Sequence, residues 1–150
     1  MDVDWSEVRT GLARTRPFLL SHHVPAEYHR CYAPEIRGRR IRLCARCTGI
    51  YPGIVAGLWA FFGAPVLPRP WWFVAVLPLP ALLDWSLTAF TPREGSNPGR
   101  TGTGLLLGYG YGLGLGHLFV SGNVLVLLVG FCYGFVAAAL LWYREQRAQG

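Results

Sequence analysis

The sequence predicts an all-α membrane protein with four transmembrane helices and a cysteine-rich cytoplasmic N-terminal arm. Apolar residues make up 52% of the 150 residues and charged residues only 15%, whereas soluble domains carry about 25% charged residues. The apolar residues also form four long blocks, each near the roughly 20 residues that a helix needs to cross a bilayer. Most of the charged residues lie before the first block. Together these observations favour an integral membrane protein over a soluble one.

The four apolar blocks set the domain boundaries. Residues 1–47 form the arm, residues 48–143 form the membrane bundle, and residues 144–150 form a short tail. The four spans are predicted at residues 48–67, 70–90, 101–120 and 124–143. Pro78 and Pro80 interrupt the second span and predict a kink there.

The arginines predict the orientation in the cell membrane. All fourteen basic residues are arginine, and nine of them lie in the arm. With both termini in the cytoplasm, only Arg69 falls on the outer side, as the positive-inside rule requires. The net charge is +6. The arginines are expected to bind anionic lipid head groups rather than nucleic acid, because most of them flank membrane segments.

The beginning of the arm has helical periodicity. Trp5, Val8 and Leu12 recur at helical spacing, which predicts a short helix on the membrane surface. Pro17 and Pro25 are expected to break any longer helix.

The cysteines of the arm predict a zinc site. Cys44 and Cys47 form a Cys-x-x-Cys motif on the cytoplasmic side, where a permanent disulfide is not expected. Three cysteines and one histidine are a common closed zinc set. The candidate ligands are Cys31, Cys44 and Cys47 with one of His22, His23 and His29.

Two other interpretations of these cysteines stay open. In the first, Cys44 and Cys47 form a redox-active pair, and Arg42 and Arg46 lower the pKa of the reactive thiol. In the second, the thiols only pack at the start of a helix, as buried free cysteines commonly do.

A polar cluster at the inner membrane face predicts a second site. Asp84 lies within the second span, where a carboxylate is costly and indicates function. The next loop supplies groups that can hydrogen-bond an anion, at the start of the third span. The predicted ligand-binding residues are Asp84, Ser96, Asn97, Arg100 and Gly102, with Asp84 and Arg100 as candidate catalytic residues.

Two interpretations of the polar cluster stay open. In one, the chain is an enzyme acting on a lipid-linked phosphate or another anionic amphiphile, with Arg100 holding the anion. In the other, Asp84 only pairs with Arg100 or Arg93 and joins two helices.

The third span has glycines on one helix face. Gly104, Gly108, Gly112 and Gly116 follow one another at intervals of four. Such a face lets another helix approach to backbone contact. It predicts close packing within the bundle, and it also permits a lipid groove or a homo-oligomer contact.

Three segments of the sequence resemble a known family. The stretches "LCARCTGIYPG", "DW" and "SNPGRTGTG" resemble the domain-of-unknown-function family 2085, which consists of small prokaryotic membrane proteins, over about residues 19–118. The resemblance implies a multi-span membrane protein and assigns no reaction. It points to Cys44, Cys47, Asp84, Asn97, Arg100 and Gly102.

The chain departs from this family at one place. Members usually carry an adjacent Cys-His before a proline, where this chain reads Ser21-His22-His23-Val24-Pro25. In a metal site, Cys31 would replace the missing thiolate, and His23 becomes the preferred fourth ligand. If the family's cysteine is instead a catalytic thiol, this member should lack that activity. The sequence therefore predicts a membrane protein with a zinc site in its arm, beside a polar pocket at the inner membrane face.

Overall fold

The computed structural model describes residues 5–21, 23–63 and 69–149. The chain divides into two compact units, Met1–Ala45 and Arg46–Gly150. The first unit corresponds to the arm and the second to the helical bundle, and each is described by itself.

The arm begins with a helix that is longer than expected. Helix α1 spans Trp5–Leu20, so the predicted helix is present and the expectation that Pro17 would end it is wrong. A proline inside a helix removes one backbone hydrogen bond and favours a kink, but the helix continues to Leu20. A 3₁₀ helix follows at Pro25–Arg30, and the backbone N–H of Cys31 closes it by donating to Tyr28.

The remainder of the arm is a β-hairpin, which corrects the all-α prediction. Strand β1 (Cys31–Tyr32) pairs with β4 (Leu43–Cys44), and β2 (Glu35–Ile36) pairs with β3 (Arg39–Arg40), both antiparallel. Between β2 and β3, Arg37 and Gly38 have φ values of 52° and 72°. Two consecutive positive φ values are typical of the type I′ turn that joins tightly twisted strands.

The second unit consists of helices. Their bounds are α2 Ala45–Phe62, whose first residue belongs to the arm unit, α3 Phe73–Val76, α4 Leu79–Phe90, α5 Asn97–Phe119 and α6 Leu125–Gln149. The predicted second span is interrupted at Leu77 and Pro78, as its two prolines indicate. Helix α5 begins four residues before the predicted third span, and α6 ends six residues after the predicted fourth span. Residues 64–67 of the predicted first span lie outside the described residues.

Two stretches of the described residues are long and apolar enough to cross a membrane. They are Phe73–Phe90, which contains α3 and α4, and Leu125–Arg147 in α6. Both have a high mean hydropathy. By length and composition alone, they agree with the second and fourth predicted spans.

The glycine face of α5 is packed against α2. A Cβ at Gly104, Gly108 or Gly112 would fall on a backbone carbonyl of α2, and one at Gly116 would fall on the Phe61 ring. In return, α2 presents Gly49, Gly53 and Gly57 to the backbone of α5. Small residues on both helices allow this backbone contact. Homo-oligomerisation through this face of α5 thus gains no support, because α2 of the same chain covers it.

The core of the bundle is small and its surface is apolar. Ala60, Val74 and Leu113 form the buried cluster. Outward-facing side chains such as Trp59, Phe131 and Phe135 are 65–77% exposed. Water-soluble monomers rarely expose so much contiguous apolar surface, so this surface suits contact with lipid.

Candidate functional site

The first candidate site is a pair of thiols on one face of the arm hairpin. Cys31 and Cys44 lie directly opposite each other in the β1–β4 pair, and opposed residues of an antiparallel pair point to the same side. Both cysteines are buried, with exposed fractions of 8% and 3%. The Sγ of Cys31 lies 3.3 Å from the Oγ of Ser21, a side chain that is also buried.

His23 connects one of these thiols to a carboxylate. Its Nε2 lies 3.3 Å from the Sγ of Cys44, and its Nδ1 lies 3.0 Å from Oε2 of Glu27. The other carboxylate oxygen of Glu27 lies 3.3 Å from Arg30. The hydrogen bond from His23 is the main cause that lowers the pKa of Glu27; burial opposes it and the Arg30 charge adds to it.

This arrangement fixes how the imidazole is oriented. An ionised Glu27 only accepts hydrogen bonds, so Nδ1 of His23 must donate to it. In the neutral imidazole, Nε2 then presents a lone pair toward the sulfur of Cys44. A histidine held this way by a carboxylate is suited either to ligate a metal or to accept a thiol proton.

The other predicted ligands are placed differently. His29 is exposed, and its Nε2 accepts a hydrogen bond from Nε of Arg30 at 3.3 Å. Cys47 lies in the first turn of α2, in the second unit, and is partly buried. His22 lies outside the described residues. Across the described part of the chain, no three His, Cys, Asp or Glu side chains are grouped closely enough to hold a metal ion.

The second candidate site is centred on Asp84 of α4. A terminal nitrogen of Arg46 donates to the Asp84 carboxylate, and both side chains are mostly buried, with exposed fractions of 23% and 20%. The interpretation that Asp84 pairs with Arg100 or Arg93 is thus corrected, since its ion-pair partner is Arg46. Removing one partner of an ion pair this well buried is costly, because the charge of the other partner would stay uncompensated.

Arg100 is occupied within its own loop, which explains why it does not reach Asp84. It is 5% exposed. One terminal nitrogen donates to the backbone oxygen of Glu94, and the other donates to Oδ1 of Asn97 at 3.2 Å. The guanidinium therefore closes the loop that precedes α5.

Ser96 is the N-cap of α5. Its Oγ accepts a hydrogen bond from the backbone N–H of Gly99 at 3.2 Å. A serine at this position followed by an early proline is a strong helix start. The "SNPGR" segment thus has a clear structural role in placing α5.

The predicted ligand-binding residues are only partly brought together. Asp84, Ser96 and Arg93 line a small cavity of about 300 Å³ beside the loop. Asn97 contacts Arg100. Gly102 faces open space, since nothing lies within 4 Å of where its Cβ would stand.

Sequence reasoning missed two of the residues at these sites. Arg46 was noted only as a neighbour of the thiols, although an arginine in the first turn of one span and an acid near the same end of the next can meet across antiparallel helices. Glu27 follows His23 by four residues, the spacing of side chains that meet on one helical turn. Both signals are visible in the sequence.

Comparison with known proteins shows the family of the chain. No curated protein and no solved structure matches it significantly. A family described as "Predicted membrane protein (DUF2085)" matches residues 29–114. This region contains the hairpin thiols, the Arg46–Asp84 pair and the capped start of α5. Because the match covers more than half of the chain, the protein belongs to the DUF2085 family of predicted membrane proteins.

Proposed function

We propose that the chain is a multi-pass cell-membrane protein whose cytoplasmic arm binds one zinc ion through His23, Cys31 and Cys44. The single observation that carries the zinc proposal is the position of His23 between the Cys44 sulfur and the Glu27 carboxylate. Zinc-binding histidines almost always donate their second ring N–H to a carboxylate, a backbone carbonyl or water, which fixes the ring and raises its basicity as a ligand.

Zinc binding asks for one local rearrangement. Cys31 already lies opposite Cys44 on the same face of the hairpin, but its sulfur contacts Ser21. Rotation about the Cα–Cβ bond of Cys31 would turn its sulfur away from Ser21 and toward the metal. Zn–S bonds of about 2.3 Å require both thiols to be deprotonated. Three protein ligands leave a fourth position, for which Cys47 is the candidate because it follows Cys44 by three residues.

Metal content measured by elemental analysis tests this proposal. Purified wild-type protein should contain about one zinc per chain, and Cys31→Ser, Cys44→Ser and His23→Ala should each lower the content. Cys132→Ser is the matched control, since Cys132 is exposed on α6. A wild-type protein that is folded and binds no zinc, even after incubation with it, would overturn the proposal. Cys47→Ser shows separately whether this residue is the fourth ligand.

Four spans with both termini in the cytoplasm are the second part of the proposal. The four proposed spans are α2, α3–α4, α5 and α6. The outer face of α2 supports its place among them, because its apolar side chains Tyr51, Val55 and Trp59 are each more than 60% exposed. Labelling of single cysteines with a membrane-impermeant reagent tests the orientation. Cysteines at 2 and 150 should react only in inside-out vesicles, and one at position 122 only in right-side-out vesicles.

A reactive thiol is the second candidate function, because Nε2 of His23 is placed to accept the proton of the Cys44 thiol. Alkylation of the metal-free protein at pH 7 distinguishes the two. A thiolate activated by His23 reacts faster than the exposed Cys132 and slows in His23→Ala. Slow reaction in both proteins leaves the zinc site as the supported function.

A further inference from the structure

The helical unit contains a large apolar cavity that borders the second candidate site at Arg46. Its volume is about 840 Å³, and α3, α4, α5 and α6 all contribute to its lining. The lining residues include Trp85 of α4, Gly110 and Gly114 of α5, and Gly130 of α6. Binding pockets for drug-sized ligands range from about 300 to 1,000 Å³, so the cavity is large enough for a substantial apolar molecule.

The otherwise apolar lining of the cavity includes one charged side chain. Among the described residues that line the cavity, only Arg46 is charged. One of its terminal nitrogens is bonded to Asp84. Its Nε is buried and has no hydrogen-bond partner within the described part of the chain. A buried N–H of a cation without an acceptor is unfavourable, and an oxygen-rich anion entering the cavity would supply the acceptor.

The charges around Arg46 leave room for an anion. Asp84 neutralises one positive charge, while Arg93 lines the small cavity on which Asp84 also borders. Arg93 is not among the residues that line the large cavity, so the positive group that an occupant would meet there is Arg46. An occupant with one negative charge at this end and an apolar chain in the cavity would match both features.

We propose that this cavity binds one anionic lipid of the surrounding bilayer, with its acyl chain between α3–α4, α5 and α6 and its phosphate against Arg46. The membrane supplies such molecules at high concentration, and a charge-assisted hydrogen bond to phosphate is a strong interaction of arginine. The lipid site is independent of the zinc proposal, because all its residues lie in the second unit.

Retention of lipid by the purified protein, measured by native mass spectrometry, tests the proposal. The full chain is exchanged into an uncharged detergent and equilibrated with equal amounts of phosphatidic acid and diacylglycerol, which has the same acyl chains without the phosphate. Wild-type protein should retain one phosphatidic acid about tenfold more often than diacylglycerol, the effect of one charge-assisted hydrogen bond. Equal retention of the two lipids would overturn the assignment of the phosphate to Arg46.

Two glycines of α6 provide a matched pair of variants. Gly130 lines the cavity, and nothing lies within 4 Å of where its Cβ would stand. A Cβ at this position meets no other atom, and a phenylalanine ring beyond it should take up space in the cavity, so Gly130→Phe should lose the bound lipid. Gly134 is equally open and does not line the cavity, so Gly134→Phe should retain it. Retention by folded Gly130→Phe at the wild-type level would refute the site.

A charge variant and a quenching measurement complete the test. Arg46→Gln combined with Asp84→Asn removes the ion pair without leaving a lone charge, and it should abolish the preference for phosphatidic acid. If either variant fails to fold, the wild-type protein still decides the question. Phosphatidic acid with a spin label on its chain should quench Trp85 fluorescence, read as the difference from Trp85→Phe. Absence of this quenching would overturn the proposal.

Discussion

Substitution of Gly108 by alanine should weaken the bundle by separating α5 from α2. A Cβ at this position would fall on the carbonyl oxygen of Ile50 and would lie 2.9 Å from its carbonyl carbon and 3.0 Å from its Cα. Real Cβ atoms essentially never approach other atoms so closely. The obstructing atoms belong to the backbone, so no side-chain rotation relieves the clash and the helices must move apart.

The magnitude follows from two opposing effects. Extra volume in a well-packed contact costs about 1–3 kcal/mol. Alanine is about 1 kcal/mol better than glycine in a helix interior. The free energy of unfolding should therefore fall by up to about 2 kcal/mol in Gly108→Ala.

Gly102→Ala is the control on the same helix. Nothing lies within 4 Å of its Cβ position, so only the gain in helix propensity applies, and stability should rise by up to about 1 kcal/mol. Unfolding by SDS in mixed micelles, followed by circular dichroism, measures both variants. Stabilities of the two variants within about 0.5 kcal/mol of each other, the spread of neutral surface substitutions, would refute the packing argument.

Three further predictions follow from single contacts. Ser96→Ala removes the N-cap of α5 and should lower the SDS-unfolding free energy by about 1 kcal/mol, whereas Ser96→Thr should retain most of it. Arg100→Ala leaves two part-buried acceptors without a donor and should cost roughly 1–3 kcal/mol in the same assay. Arg100→Lys should not restore the stability, because lysine lacks the forked geometry of arginine. The pKa of Glu27 is lowered from its ordinary value of 4.5. Ionised Glu27 therefore stabilises the metal-free arm fully above pH 4.5, and this stabilisation is lost as the pH falls through the lowered pKa. An NMR titration of the Glu27 carboxyl carbon should show the low midpoint, and His23→Ala should move the midpoint back toward 4.5.

The helices of the bundle could be predicted because their signals are local. A block of apolar residues and the two prolines at positions 78 and 80 each act within a few residues of their position. The serine before Asn97-Pro98 is a local helix-start signal too, but it was interpreted as a ligand-binding residue, and α5 was predicted to begin only at residue 101. The glycine spacing in α5 likewise indicated one closely packed face. The identity of the helix that covers this face is a tertiary property, and the spacing alone left a second copy of the chain as an alternative.

The hairpin of the arm was missed because each strand is only two residues long. Two residues are too few for an alternating pattern to be recognised. The Arg37-Gly38 turn was the available signal, since glycine readily adopts a positive φ, but an arginine before it is not the usual residue for a type I′ turn.

The Arg46–Asp84 pair shows a different limit of sequence reasoning. Asp84 was recognised because a carboxylate in a span is rare. Three arginines were close enough in the predicted topology to pair with it. The choice among them depends on the loop before α5, where Glu94 and Asn97 engage Arg100, and such competition becomes visible only when side chains have positions.

The contact between α2 and α5 has a consequence for synthesis of the protein. Gly57 meets the backbone around Leu113, so the partner of α2 is made about fifty residues later. In the proposed four-span topology, and at roughly 5–20 residues per second, α2 would wait about 3–10 seconds in the membrane before α5 exists. During this interval its glycine face has only lipid or a helper protein against it. We therefore expect the yield of assembled protein to depend on the speed of translation between residues 63 and 112.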